Sequence, residues 1–199
     1  MAFVIDEAFL PATLSAHPMS DEEFAAFCAE HPDLFFEMTA EGEIIVMPPT
    51  HTATDARNAE IMAQLRNWAR RDGRGVVTGS SGGWVLPNGA RRSPDAAWTL
   101  KSRFKDLDPK SFEGFWHFSP DFVIELKSDS DRLPVLRRKM AEWVANGAQL
   151  AWLINPETRT VEVYRPGSDP ETVSSESVKG EGVVEGFVLD LQTVWNPFD

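Results

Sequence analysis

Three residues carry most of the chemistry this chain could perform. Asp95 stands in Ser93-Pro94-Asp95-Ala96-Ala97-Trp98, at the head of a short apolar run. Glu125 and Lys127 stand in Pro120-Asp121-Phe122-Val123-Ile124-Glu125-Leu126-Lys127, inside a second one. Carboxylates are hard oxygen ligands for a divalent cation, Mg2+ or Mn2+, which makes Asp95 and Glu125 the candidate metal ligands. A lysine beside them could orient or deprotonate an attacking water, or offset the charge of a pentavalent phosphate. Together they compose metal-dependent hydrolysis of a phosphodiester, with Asp95, Glu125 and Lys127 as the catalytic set.

In a strand, residues i and i+2 share a face. Glu125 and Lys127 are therefore expected side by side, with Asp121 and Val123, while Phe122, Ile124 and Leu126 face the other way. The run is apolar on both faces, as in a strand buried at the centre of a sheet. A charge buried there needs a partner or a metal. The plainest alternative is that Glu125 and Lys127 pair with each other. Asp95 by itself could be a turn or cap residue after Pro94, and Asp121 could merely start the strand after Pro120. The 30-residue separation of Asp95 and Glu125 leaves open which aspartate, Asp95 or Asp121, joins Glu125.

The elements that would hold these residues follow from periodicity and punctuation. Ser20 with Glu23 three residues on forms a capping box for a helix ending before Pro32. Residues 35–38 and 43–47, joined at Glu41-Gly42, read as a hairpin stopped by Pro48-Pro49. Thr54 or Asp55 caps a helix of residues 55–72, with Ile61, Leu65 and Trp68 on its apolar face. Residues 76–78, 83–86 and 95–100 read as strands, and 121–128 as the buried strand. Residues 136–145 form a helix with Leu136, Met140, Trp143 and Val144 on one face. Residues 150–154 and 160–165 form a hairpin about Asn155-Pro156-Glu157-Thr158, and 183–189 a last strand. Residues 101–119, basic and aromatic, read as irregular: a lid facing the substrate, or aromatics packed on the core with only the lysines free. This order predicts an α/β fold with a central mixed β-sheet flanked by helices. Residues 1–19 are expected to form an arm and 20–199 a single domain with an acidic C-terminal segment.

The net charge of −12 argues against nucleic-acid binding by bulk charge. Beyond Gly167 acidic residues face Lys179 alone, so the acidity is partly a tail property. The basic residues cluster, and Arg132, Arg137 and Arg138 follow the reactive strand directly, as candidate phosphate contacts or as a solvated face. Cys28 is the single cysteine, which excludes an internal disulfide and a cysteine-based zinc site. The apolar runs are too short to span a bilayer and the N-terminus does not read as a signal peptide, so a cytoplasmic location with no membrane partner is expected. His51, between Pro48-Pro49 and the long helix, could contact phosphate or a second metal, or be structural. Ser80-Ser81-Gly82-Gly83 lacks the ending of a P-loop and reads as a turn.

Several blocks, in order, resemble the PD-(D/E)xK nuclease superfamily and, more closely, its Uma-type restriction-endonuclease group. They are Ser20-Asp21-Glu22-Glu23-Phe24, Gly42-Glu43-Ile44 through Met47-Pro48-Pro49-Thr50, Ser93-Pro94-Asp95, Pro120 to Glu125, Lys139-Met140-Ala141-Glu142-Trp143 with Asn146-Gly147, and Trp152-Leu153-Ile154-Asn155-Pro156 through Arg165. The likeness covers roughly residues 20–168. It implies a restriction-endonuclease-like core, an Mg2+-dependent DNA endonuclease, cation binding by Asp95 and Glu125, and Lys127 completing the site. The superfamily often adds a helix glutamate, for which Glu60 is the nearest candidate. A homodimer would present two sites to two strands. The rival reading is a catalytically inactive nucleic-acid-binding or interaction module that keeps the fold.

Overall fold

The computed structural model describes residues 12–14, 17–47, 50–105, 107 and 114–199. Pro11, Pro48, Pro49 and Phe112 lie outside the described residues. The chain runs through β1 (Ala12–Leu14), α1 (Asp21–Glu30), β2 (Phe35–Met38), β3 (Ile44–Met47) and α2 (Thr52–Asp72). Then come β4 (Gly75–Gly79), β5 (Trp84–Val85), β6 (Arg91–Arg92), β7 (Ala96–Leu100) and β8 (Phe122–Leu126). The remainder is α3 (Leu133–Ala145), β9 (Leu150–Asn155), β10 (Thr160–Tyr164), β11 (Glu171–Val173), β12 (Ser177–Lys179), β13 (Val188–Asp190) and α4 (Gln192–Trp195).

Six strands form the main sheet in the order β11-β10-β9-β8-β7-β4. The β8–β9 pair is parallel, because α3 carries the chain across between them, and the other pairs are antiparallel. The sheet is therefore mixed, with helices on both faces. The alternation expected for β8 decides which helix each residue meets. Phe122, Ile124 and Leu126 pack with Ile61, Leu65 and Trp68 of α2. Val123 packs with Leu136, Met140 and Trp143 of α3. Burying these large side chains contributes about 1.5–3 kcal/mol apiece, so the two sandwiching helices are held chiefly by apolar contact.

A second sheet, ordered β1-β3-β2-β6-β5, carries α1. Phe24 of α1 meets Phe36, Met38, Ile44 and Val46 there. The capping box at Ser20 and Glu23 is formed in full. Ala12–Leu14, within the expected arm, pairs with β3.

Three boundaries differ from expectation. The long helix starts at Thr52 with His51 as its N-cap, so Asp55 lies inside the first turn rather than capping it. The third helix starts at Leu133, because Pro134 is tolerated in a first turn that has no intrahelical donor to lose. Residues 183–189 do not form one strand: a 3-10 turn at Gly182–Val184 is followed by β13, with Gly186 at φ 85° between them. In the segment 101–119, Phe104, Trp116 and Phe118 pack together, and Trp116 and Phe118 lie against Trp84. The described aromatics of that segment thus cover the core.

Candidate active site

The backbone brings Asp95 and Glu125 together. Strands β7 and β8 are antiparallel with Ala96 opposite Ile124 and Ala97 opposite Val123. One further step of the same register sets Asp95 opposite Glu125, and directly opposed residues have the closest side chains across a sheet. Asp95 Oδ2 accepts from the Leu126 N–H at 2.8 Å, which ties the two strand ends. Asp95 Oδ1 accepts from Asn58 Nδ2 of α2 at 3.3 Å. Both carboxylates line a cavity of about 390 Å³, together with Phe35, Phe36, His51, Asn58, Asp131 and Lys139 among others.

Glu125 is buried on the α3 side. Its Oε1 accepts from Trp143 Nε1 at 2.9 Å and sits 2.8 Å from Lys139 Nζ. Both hydrogen bonds it receives from the described residues end on Oε1. Lys139 in turn reaches Glu37 Oε1 on β2 at 2.8 Å and the Ser93 carbonyl at 3.3 Å. Glu37 is held by Arg92 at 3.0 Å and by the Ser93 N–H at 3.0 Å, and Arg92 also grips Glu142 of α3 at 2.6 Å. The network ties the small sheet to the large one directly over the carboxylates.

The electrostatics are lopsided. Burial raises the pKa of Asp95, against the pull of the Leu126 N–H and Lys139, and Asp131 and Glu37 raise it further. Burial, with Asp95 and Glu37 as like-charged neighbours, pushes Glu125 up to about 8 despite Lys139. Burial opposes the Lys139 ammonium, but Glu125 and Glu37 outweigh it and hold its pKa above the ordinary lysine value. Burial likewise opposes ionisation of Glu37, and Lys139 and Arg92 overcome it. Glu37 is thus a settled anion, while Asp95 and Glu125 resist being ionised together, because their surroundings do not neutralise two negative charges.

That imbalance fits a hard divalent cation. Among the described residues no three His, Cys, Asp or Glu side chains are grouped to hold a metal. A cation here would take Asp95 and Glu125 and fill its shell with water or substrate oxygens, the usual habit of Mg2+. Asn58 Oδ1, buried beside Asp95 without a hydrogen-bond partner, adds an oxygen with nothing yet to bind.

The other candidates fall elsewhere. Lys127 does not join the carboxylates. Strand β8 ends at Leu126, the chain turns into a loop closed by Ser128 and Asp131, and Lys127 Nζ goes to the Ser128 carbonyl at 3.1 Å and Glu157 at 3.3 Å. The i+2 rule does not carry past a strand's end, and the expected Glu125–Lys127 juxtaposition is replaced by Glu125–Lys139. Asp121 sits at the opposite end of β8, where it accepts from the Leu100 N–H at 2.8 Å and pairs with Arg103 at 3.0 Å. Glu60 faces α4, accepting from Gln64 at 3.0 Å and Thr193 at 3.2 Å. Arg137 forms a bidentate pair with Glu162 at 2.6–3.0 Å. Arg132 and Arg138 are exposed.

Lys139 and Glu37 had readable signals. Lys139 shares the helical face of Leu136, Met140 and Trp143, where a charge is out of place. Glu37 lies between core residues Phe36 and Met38. Asn58 carried no such signal.

The fold and this site meet in the comparisons with known proteins. A family model described as Uma2, "Putative restriction endonuclease", matches residues 21–192. The chain belongs to the Uma2 family. The match takes in the segment after residue 168 as well, so β11 to β13 lie within the family's domain. A solved structure described as a putative nuclease belonging to DUF820, from Anabaena variabilis, superposes with a TM-score of 0.73 at 20% identity, covering 90% of this chain and 98% of that one. The Uma2 chain thus has a nuclease-like fold, with a restriction-endonuclease-like central sheet. No curated protein matches it significantly. Among the described residues of this Uma2 member no helix is long and apolar enough to cross a membrane.

Proposed function

We propose that the chain is a metal-dependent endonuclease acting on DNA, with Asp95 and Glu125 holding Mg2+ or Mn2+ and Lys139 as the lysine of the site. One observation carries this reading: the buried Glu125 of β8 and the half-buried Asp95 at the head of β7 line one cavity and oppose each other's charge, and Lys139 touches Glu125. A divalent cation bound there lowers the pKa of a water and offsets charge on the scissile phosphate. Asp95, tied to the Leu126 N–H and Asn58, keeps its carboxylate fixed at the strand end. Glu125 is oriented by Trp143, which leaves Oε2 for the cation. Lys139 keeps a proton on Nζ and can donate it as a hydrogen bond to the attacking water or to a phosphate oxygen. Arg132 follows Asp131 of the cavity wall and, with Arg138, supplies exposed positive charge for the backbone of a nucleic acid.

The test is cleavage of plasmid and oligonucleotide DNA with Mg2+ or Mn2+, with chelator, and by Asp95→Asn. The expected result is cleavage that chelator stops and Asp95→Asn lowers by roughly 100-fold or more. Cleavage that ignores both would place the chemistry elsewhere. A folded wild type that binds DNA and cleaves none would favour the inactive binding module.

A further inference from the structure

Among the described residues Lys139 is the one cation paired directly with Glu125, yet it does not have to spend its charge there. Its Nζ has equal contacts, 2.8 Å each, to Glu125 Oε1 and Glu37 Oε1. Glu37 is 2% exposed and comes from β2, an element of the other sheet. Arg92 grips the far oxygen of Glu37 and also Glu142, so that Lys139, Glu37, Arg92 and Glu142 form a chain of alternating charge. Two cations and two anions make that chain neutral. Once both are deprotonated, Asp95 and Glu125 are then left with two negative charges between them, the complement of a divalent cation. Without Glu37 the chain would carry a net positive charge against Glu125, and the two carboxylates would have one uncompensated charge to offer.

We infer that Glu37 is a positioning residue that serves as the counter-charge of Lys139, keeping Asp95 and Glu125 free for the divalent cation while holding the lysine beside them. This rests on the reading of Asp95 and Glu125 as the cation site. It assigns the small sheet a part in the chemistry: β2 delivers the anion that lets a lysine sit against a metal ligand without cancelling it. Glu37→Gln is nearly isosteric and keeps one acceptor oxygen, enough for the Ser93 N–H on the Oε1 side though not for Arg92 as well, so it preserves packing while removing the charge.

The experiment is calorimetric titration of Mg2+ into metal-free wild type, Glu37→Gln, Lys139→Met and the double variant Glu37→Gln/Lys139→Met, with thermal unfolding of each as a check on the fold. Glu37→Gln should bind Mg2+ about tenfold more weakly, the scale of coupling within one charged network. Lys139→Met should bind at least as tightly as wild type. The double variant, with the same net charge around the site as wild type, should return to within about threefold of it. Wild-type affinity in Glu37→Gln would overturn the inference, and so would a double variant as weak as Glu37→Gln, which would make Glu37 a merely structural residue. Absence of Mg2+ binding by folded wild type would instead remove the cation site itself, and the inference with it.

Discussion

Strand β8 carries a buried carboxylate at each end, and the two have opposite fates. Asp121, 6% exposed, finds a backbone N–H from Leu100 and the guanidinium of Arg103, which also lies 4.5 Å from the Phe118 ring. Its charge is answered locally, and it fastens the loop after β7 to the sheet. Glu125, 3% exposed, shares its one cation with Glu37 and is opposed by Asp95. Burial alone therefore does not mark a reactive carboxylate. What distinguishes Glu125 is a second carboxylate, Asp95, whose charge its partners among the described residues do not offset, facing a cavity that a cation and a phosphate can enter.

The largest test of that contrast is to neutralise each end. Glu125→Gln should remove Mg2+ binding and lower cleavage roughly 1,000-fold while leaving the fold intact. Asp121→Asn should keep metal binding and cleavage but cost about 1–3 kcal/mol of stability, read from denaturant unfolding, because the Leu100 N–H and Arg103 lose a charged acceptor. Equal loss of metal binding in both variants would erase the distinction.

The two lysines give the next contrast. Lys139→Ala should lower cleavage by roughly 100-fold or more with DNA binding retained. Lys127→Ala should stay within about threefold of wild type, since Lys127 pairs with an exposed Glu157 and such pairs contribute at most about 1 kcal/mol. Reversed results would restore Lys127 to the site.

Much of this was legible beforehand. Alternating side chains in residues 121–127 placed Glu125 on one face and Ile124 on the other, and the α3 and α2 cores bear that out. The capping box, the hairpin of β2 and β3, and the mixed central sheet were legible for the same reason: they depend on neighbours in sequence. The aspartate that meets Glu125 was not, because register across β7 and β8 is a tertiary fact. Nor was the lysine. Lys127 is two residues from Glu125 and Lys139 is fourteen, but a turn in α3 brings the distant one into contact and the end of β8 turns the near one away. Glu37 stood out between Phe36 and Met38, but its meeting with Lys139 depends on how the two sheets pack.

A smaller effect follows from the pKa of Glu125, about 8 in the fold against an ordinary 4.5. Between those values the folded chain keeps a proton that the unfolded chain has released, so metal-free stability should fall as pH rises through that window. Asp95 acts in the same direction. Glu125→Gln should flatten the slope. Mg2+ binding near neutral pH should release a proton, with affinity rising up to about pH 8. A slope that Glu125→Gln leaves unchanged would contradict the assignment. The smallest effects belong to the surface. Arg132→Ala with Arg138→Ala should reduce the salt slope of DNA binding by about 2, whereas Arg137→Ala should change it less, because Glu162 already holds that guanidinium.

The most direct measurement is the anomalous difference map of a crystal soaked in Mn2+. A peak about 2.1 Å from carboxylate oxygens of both Asp95 and Glu125 is the predicted result. Density elsewhere, with Lys139 still closed on a cation-free Glu125, would contradict the central claim.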